Sequence, residues 1–342
     1  MDWLEEWWNA TLADDGFWLR EQPADHFRTS LGRAGDRTLT TEFVDLLLGA
    51  AAPPLPERRT GLATLRAALA GVRGVVDLGA GDGTLLHELA TRRPGWMLHG
   101  VDVRPRPDGL PAAVGWTTAR WDVRSERWTG IEDTPTVRPW PGPPRPLLVL
   151  AHEWLDDLPC RVACRDPDGW QLLGPDGPTG RVPAAEELAW LATWAGDVTV
   201  AEIGLTRDRA WARVAAALSP GSVLLAVDYG HLRATRPADG ALTGYRHGRC
   251  VAPVPDGRTN ITAAVAVDAL AVATESVPGL RRVLVARQAD VVREATQGPA
   301  GESVGASGLQ RLVAANRRRV LADPARSGAN WWVAHRVCGP SA

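Results

Sequence analysis

A doubly wound α/β fold, with helices on both faces of a mainly parallel sheet, is predicted by three features of the chain. A buried strand, a glycine loop and an amphipathic helix follow one another over residues 74–93. A second apolar strand at 96–102 completes a βαβ unit, whose crossover requires parallel strands. Further apolar runs at 147–151 and 222–228 have the continuous character of strands covered on both faces.

The elements read in order as follows. Residues 1 to about 50 set Trp3, Trp7, Trp8, Phe17, Trp18, Phe27 and Phe43 among charges, and the Trp3–Trp7 spacing is helical. Pro53-Pro54-Leu55-Pro56 ends that section. Thr60 caps a helix from Gly61 to Ala70, which Gly71 stops. The first strand is Gly74–Leu78, the glycine loop runs from Gly79 to Gly83, and Thr84–Arg93 forms the crossover helix. A third strand fits Val114–Val123, and the proline-rich stretch 134–146 reads as a loop or short linker. Asp166-Pro167-Asp168-Gly169 marks a hairpin within 160–173. Helices fit 184–195 and 206–218, and 231–260 reads as a loop excursion. Arg281–Ala286 and Trp331–Val337 read as late strands on an antiparallel edge, with a helix near 308–322 between them. The expected division is an N-terminal helical, Trp-rich segment, 1–58, and a main domain, 59–342, with insertions at about 160–200 and 231–280.

Composition narrows the chemistry. The chain has 342 residues, 45% hydrophobic and 23% charged, enough for a sizeable core. Its net charge of −2 argues against a general nucleic-acid binder. It contains no lysine, so Schiff-base chemistry and a Gly-Lys-Ser/Thr phosphate loop are excluded. Four cysteines make no disulfide framework. Cys160 and Cys164 lack the second pair that a zinc site needs, so no metal is expected. The opening Met1-Asp2-Trp3-Leu4 does not read as a signal peptide, and no apolar run reaches membrane-span length. The expectation is a cytoplasmic enzyme that binds neither membrane nor nucleic acid.

The glycine loop is the first site. Asp77-Leu78-Gly79-Ala80-Gly81-Asp82-Gly83 has the form D-x-G-x-G-x-G, which differs from the dinucleotide fingerprint. Glycine allows a tight turn and a close ligand approach. A diphosphate would be repelled by Asp77 and Asp82. Acids here suit a ligand with a cationic end, such as the ammonium and sulfonium of S-adenosylmethionine. Asp102 ends the second strand 19 residues beyond Gly83, where a carboxylate can accept ribose hydroxyls. Asp122, at the end of the third strand, is a candidate for the adenine amino group. The cofactor-binding set is therefore Asp77, Gly79, Gly81, Gly83, Asp102 and Asp122.

The second site follows the fourth strand, as His152-Glu153-Trp154-Leu155-Asp156-Asp157-Leu158-Pro159. In an open parallel sheet the crevice lies beyond the carboxyl ends of the strands, which puts this run beside the glycine loop. Glu153 and Asp156 are expected on the catalytic face. His152 is the natural base should the acceptor be a hydroxyl. The competing reading is an acid-rich helix start.

The run Ala151–Pro159 resembles the N-E-x-x-D-A-L-P segment of the MidA-like methyltransferases, a family that includes the mitochondrial complex I assembly factor acting on a protein arginine. Val200-Ala201-Glu202-Ile203 resembles the family's V-E-I-S segment, and Leu224–Gly230 its L-L-I-D-Y-G strand. Gly240–Tyr245 and Asn260–Ala263 resemble two further segments in the same order. The resemblance covers roughly residues 70–340. It implies a class I S-adenosylmethionine-dependent methyltransferase sheet, the cofactor itself, and a protein acceptor with arginine as the candidate residue. The substrate end departs from the family: His152 replaces Asn, Ala241 replaces Thr, Asn260 replaces Asp and Ala264 replaces His. Gly35–Glu42 matches the N-terminal G-D-F-x-T-x-P-E only loosely. A small-molecule O- or N-methyltransferase, or a cofactor-binding assembly factor without turnover, are the alternatives.

Overall fold

The computed structural model describes residues 1–27, 29, 31, 37–49, 61–130, 135–136, 138–142, 145–297 and 308–339. The proline stop at 53–56, the Thr60 cap, the start of the Gly35–Glu42 segment and parts of 134–146 lie outside the described residues.

Seven strands carry the site. They are β1 (Gly74–Leu78), β2 (Met97–Asp102), β3 (Val114–Asp122), β4 (Leu148–His152), β5 (Val223–His231), β6 (Leu280–Arg287) and β7 (Asn330–Val337). They lie in the order β6-β7-β5-β4-β1-β2-β3 within a ten-stranded sheet. β1 pairs in parallel with β2 and with β4, β2 with β3, and β4 with β5. β7 runs antiparallel to both β5 and β6, which makes the expected antiparallel edge. The sheet order turns back between β1 and β4, and ligand crevices open at such points.

Both faces of the sheet are covered. Val75, Leu148, Leu150, Val223 and Leu225 pack with the side chains of helices Arg37–Leu48, Gly61–Leu69 and Thr84–Arg92. Their neighbours Val76, Leu78, Val149, Ala151, Leu224 and Ala226 point the other way, into a core with Trp211 and Leu270 of helices Leu205–Ala216 and Val267–Glu275. The alternation of a strand's side chains, with apolar residues on both sides, explains the continuous apolar runs.

Three stretches differ from the sequence reading. Arg127–Gly130 pairs antiparallel with β3, and Pro135–Thr136, within the stretch read as a loop or linker, pairs antiparallel with Arg127–Gly130. The excursion at 231–260 contains strands Thr243–Arg246, Arg249–Val251 and Asn260–Thr262, which form a three-stranded sheet. Helices Val267–Glu275 and Gln288–Gln297 also went unread. These strands are short and rich in Arg and Gly, so their pairing comes from distant partners rather than from a period in the sequence. The 160–173 hairpin is present, Arg161–Asp166 against Gly169–Gly174, and belongs to a separate four-stranded sheet that includes Val200–Ile203.

Candidate active site

A cavity of about 830 Å³ opens at the carboxyl ends of β1, β2 and β4. Asp77, Gly79, Gly81, Asp102, His152, Glu153 and Asp156 all line it. Seven residues named from the sequence thus meet in one space. Gly83 and Asp122 do not line it.

The glycine loop is held by backbone needs. Gly79, Gly81 and Gly83 take φ of +70°, +61° and +72°, a region that disfavours side chains. The Gly79 and Ala80 N–H groups donate to the Val101 carbonyl at 2.9 and 3.2 Å, which docks the loop on β2. A Cβ at Gly79 would stand 2.8 Å from Trp154, and one at Gly83 would stand 2.8 Å from Leu110. Gly83 therefore shapes the start of the helix and packs it, without facing the cavity.

Asp102 anchors the loop from the side. Its Oδ2 accepts the Gly81 N–H at 2.8 Å, and its Oδ1 accepts the Arg104 N–H at 2.9 Å and Arg104 Nε at 3.4 Å. Burial raises its pKa, and Arg104 opposes that shift. Asp77 is different. Burial, then Asp102, then Asp82, push its carboxyl up to about 8. A buried acid on a cavity wall, with only like charges acting on it, fits the cationic end of a ligand. The donor set and the open glycine loop thus suit S-adenosylmethionine. Among the described residues no cluster of His, Cys, Asp or Glu could hold a metal ion.

This gives a pH-dependent expectation. Asp77 is mostly protonated near pH 7 in the ligand-free protein, because its folded pKa is about 8. An ammonium bound beside it favours the carboxylate and lowers that pKa. S-adenosylhomocysteine binding near pH 7 should then release about one proton, and well above pH 8 almost none. Calorimetry in buffers of different ionisation enthalpy reads this number directly. A buffer-independent heat near pH 7 would take Asp77 away from the cationic end.

The acid loop after β4 is not a helix start. Glu153 has φ +52°, a left-handed turn that is rare for a non-glycine residue. Its N–H donates to Val227 O at 2.9 Å, and Asn330 Nδ2 donates to its Oε1 at 3.3 Å. Asp228 Oδ2 accepts the N–H groups of Leu155 and Asp156 at 3.0 and 3.2 Å. Behind the loop the buried Arg207 donates to the carbonyls of Asp156, Leu158 and Ala263, each at 2.9 Å. Burial, then Glu153, raise Asp156 to about 7, with Arg207 opposing. Asp157 and Asp228 are also pushed well up, chiefly by burial and by Asp156. Asp156 Oδ1 and Asp228 Oδ1 are buried without a hydrogen-bond partner among the described residues.

His152 lines the cavity with its ring edge-to-face against Phe43 at 5.3 Å, and burial lowers its pKa. It is therefore neutral at pH 7. Asp122 instead ties its own turn: Oδ1 accepts Arg124 N–H and Nε, and Oδ2 accepts the Ser125 hydroxyl. Glu202, within the family-like segment Val200–Ile203, accepts the N–H groups of Ala241 and Leu242 at Oε1 and does not line the cavity.

Several lining residues were not singled out from the sequence. Trp128 stacks on Trp154 at 5.7 Å, and Trp121 meets Trp128 edge-on at 5.5 Å. Tyr229, Asn260 and Thr262 stand beside the acids; the Tyr229 hydroxyl bonds Thr262, and Asn260 Nδ2 donates to Asp157 at 3.3 Å. Leu12, Trp18 and Phe27 of the N-terminal segment also line the space. Their signal lay in the family segments around Tyr229 and Asn260, and in the density of tryptophan.

Sheet order, glycine loop and strand-end acids together define a class I S-adenosylmethionine-dependent methyltransferase. Residues 118–285 match the profile of a family described as "Putative S-adenosyl-L-methionine-dependent methyltransferase". That match supports the resemblance to the MidA-like methyltransferases. The fold is shared with a COG1565 superfamily member from Burkholderia thailandensis bound to S-adenosyl-homocysteine: TM-score 0.68, 18% identity, 99% of this chain and 89% of that one. A second COG1565 structure from the same organism gives TM-score 0.66 and 20% identity, over 99% of this chain and 88% of that one. No curated protein matches. No helix among the described residues is long and apolar enough to cross a membrane.

Proposed function

We propose that this methyltransferase acts on a cationic nitrogen acceptor, with a protein arginine as the substrate. The observation that carries the reading is the buried acid loop: Glu153, Asp156 and Asp157 line the space beside the glycine loop, with Asp228 behind them, and Asp156 Oδ1 has no hydrogen-bond partner among the described residues. In this reading Asp77, Asp102 and the loop Gly79–Gly83 hold the cofactor, and residues 59–342 form the catalytic domain.

S-adenosylmethionine supplies a methyl group already activated on a sulfonium, so the protein's task is alignment and proton removal. A guanidinium stays protonated in water. Carboxylates at its edge fix its plane and lower the cost of sharing its charge. As the N–C bond forms and the C–S bond breaks, the attacking nitrogen must lose one proton. In this reading Glu153 and Asp156 take it; burial and then Glu153 raise Asp156 to about 7, which suits it to accept a proton near neutral pH. The product guanidinium keeps a single positive charge.

The experiment is transfer of labelled methyl from S-adenosylmethionine to proteins of a cell extract, followed by amino-acid analysis. Methylarginine is the expected product. His152→Asn restores the family's residue and should leave that activity within about threefold, since in this reading Glu153 and Asp156 take the proton and the His152 ring packs on Phe43. Loss of activity in His152→Asn, with a hydroxyl or small molecule as the labelled product, would move the reaction to the small-molecule class.

A further inference from the structure

The aromatic residues that the N-terminal segment contributes to the cavity have no task in methyl transfer itself. We propose that Phe27 and Tyr245, backed by Trp18, form a subsite for the apolar stem of the acceptor, whose cationic end the acid loop holds. This rests on the cationic acceptor proposed above and adds what its other end must look like.

The three rings form one surface. Trp18 meets Phe27 edge-to-face at 5.9 Å, and Phe27 tilts against Tyr245 at 6.3 Å. All three line the cavity together with Glu153, Asp156 and Asp157. The link to the acids runs through the three-stranded sheet. Tyr245 pairs across the strands with Asn260, and Asn260 Nδ2 reaches Asp157 at 3.3 Å. Burial raises the Tyr245 phenol's pKa, and Cys250 and then Asp156, Glu153 and Asp157 add to it.

Phe27 is held in place from its neighbour. The Gly248 N–H donates to His26 O at 2.8 Å, and the His26 ring stacks on His247 at 4.9 Å. The N-terminal segment is thereby fastened to the sheet that carries Tyr245 and Asn260. Aromatic faces attract cations and cover alkyl chains. Carboxylates beyond them select the charged end. A cation on a chain of several methylenes satisfies both; a bare cation uses only the acids, and an anion is repelled.

The test uses the full-length protein saturated with S-adenosylhomocysteine. The probes are agmatine, a guanidinium on a four-carbon stem that ends in an ammonium, and the guanidinium ion alone, each titrated by calorimetry against wild type and ring variants so that the stem's share is read from the variants. Agmatine should bind at least about tenfold tighter than guanidinium. Phe27→Ala and Tyr245→Ala should each remove most of that preference and leave the Kd for S-adenosylhomocysteine unchanged. Tyr245→Phe keeps the ring and should bind agmatine as the wild type does. It guards against a folding defect in Tyr245→Ala. The proposal is overturned if agmatine shows no preference over guanidinium, or if Phe27→Ala leaves the agmatine Kd unchanged. It is also overturned if the ring variants weaken S-adenosylhomocysteine instead, since the rings would then hold the adenosine. The two readings fail separately. Methylation of no cationic acceptor, with agmatine binding that depends on Phe27, removes the reaction and keeps the subsite. Methylarginine formation indifferent to Phe27 does the opposite.

Discussion

Glu153→Gln is expected to lower methyl transfer by about 10²–10⁴-fold, the range for losing a positioned acid–base group. Affinity for S-adenosylhomocysteine and melting temperature should stay near wild type. The substitution is nearly isosteric, and a glutamine carbonyl can still accept from Asn330 Nδ2, as Glu153 Oε1 does at 3.3 Å. The left-handed turn at φ +52° costs glutamine what it costs glutamate, since both carry a Cβ, and the residue's N–H still reaches Val227 O. What changes is charge. An uncharged residue 153 removes one of the groups that raise Asp156, Asp157 and Asp228, so those acids become easier to ionise. The pH profile of residual turnover should accordingly shift to lower pH. If Glu153 served only to start a helix, melting would move and turnover would not. Unchanged turnover in Glu153→Gln would remove it from the reaction.

Asp102→Ala should weaken S-adenosylhomocysteine binding by about 1–3 kcal/mol, the scale of hydrogen bonds to a charged group. Two losses combine here. The ribose would lose its acceptor, and the Gly81 N–H would lose the carboxylate that holds it at 2.8 Å. Arg104, now without its partner, would be freer to swing over the loop. Calorimetry gives the affinity, and the melting temperature of the ligand-free protein separates the loop's own stability from ligand contact. Wild-type affinity would show that Asp102 only braces the glycine loop.

The strand-end acids differ in what the chain lets them do. Asp77, Asp102 and Asp122 are alike in sequence, each at the end of a parallel strand. Asp77 and Asp102 face the cavity because β1 and β2 end beside the point, between β1 and β4, where the sheet order turns back. Asp122 sits at a strand whose outer edge is taken by Arg127–Gly130, and its oxygens are used by Arg124 and Ser125 within that turn. A one-dimensional reading could not separate them, since the antiparallel strand beyond β3 has no periodic signal of its own. Glu202 tells the same story. Its resemblance to a family segment was clear, yet its Oε1 holds the turn at Ala241 and Leu242.

By itself the sequence determined the elements whose signals are local: the strand–glycine loop–helix unit read at 74–93, the buried strands read at 147–151 and 222–228 and found at 148–152 and 223–231, and the acids beside them. Apolar runs, glycines and their spacing are properties of neighbouring residues, so they are legible without a fold. Only the tertiary structure decided what closes the cavity. Phe27 lies far along the chain from Tyr245, and Tyr245 from Asp157, and they meet because the N-terminal segment docks on a sheet formed by distant strands. The same holds for the charge state of the acids. Burial, and the Arg207 guanidinium seated behind the loop, set whether Asp156 and its neighbours carry a proton. Those are effects of packing and dielectric surroundings, which no spacing of residue types encodes.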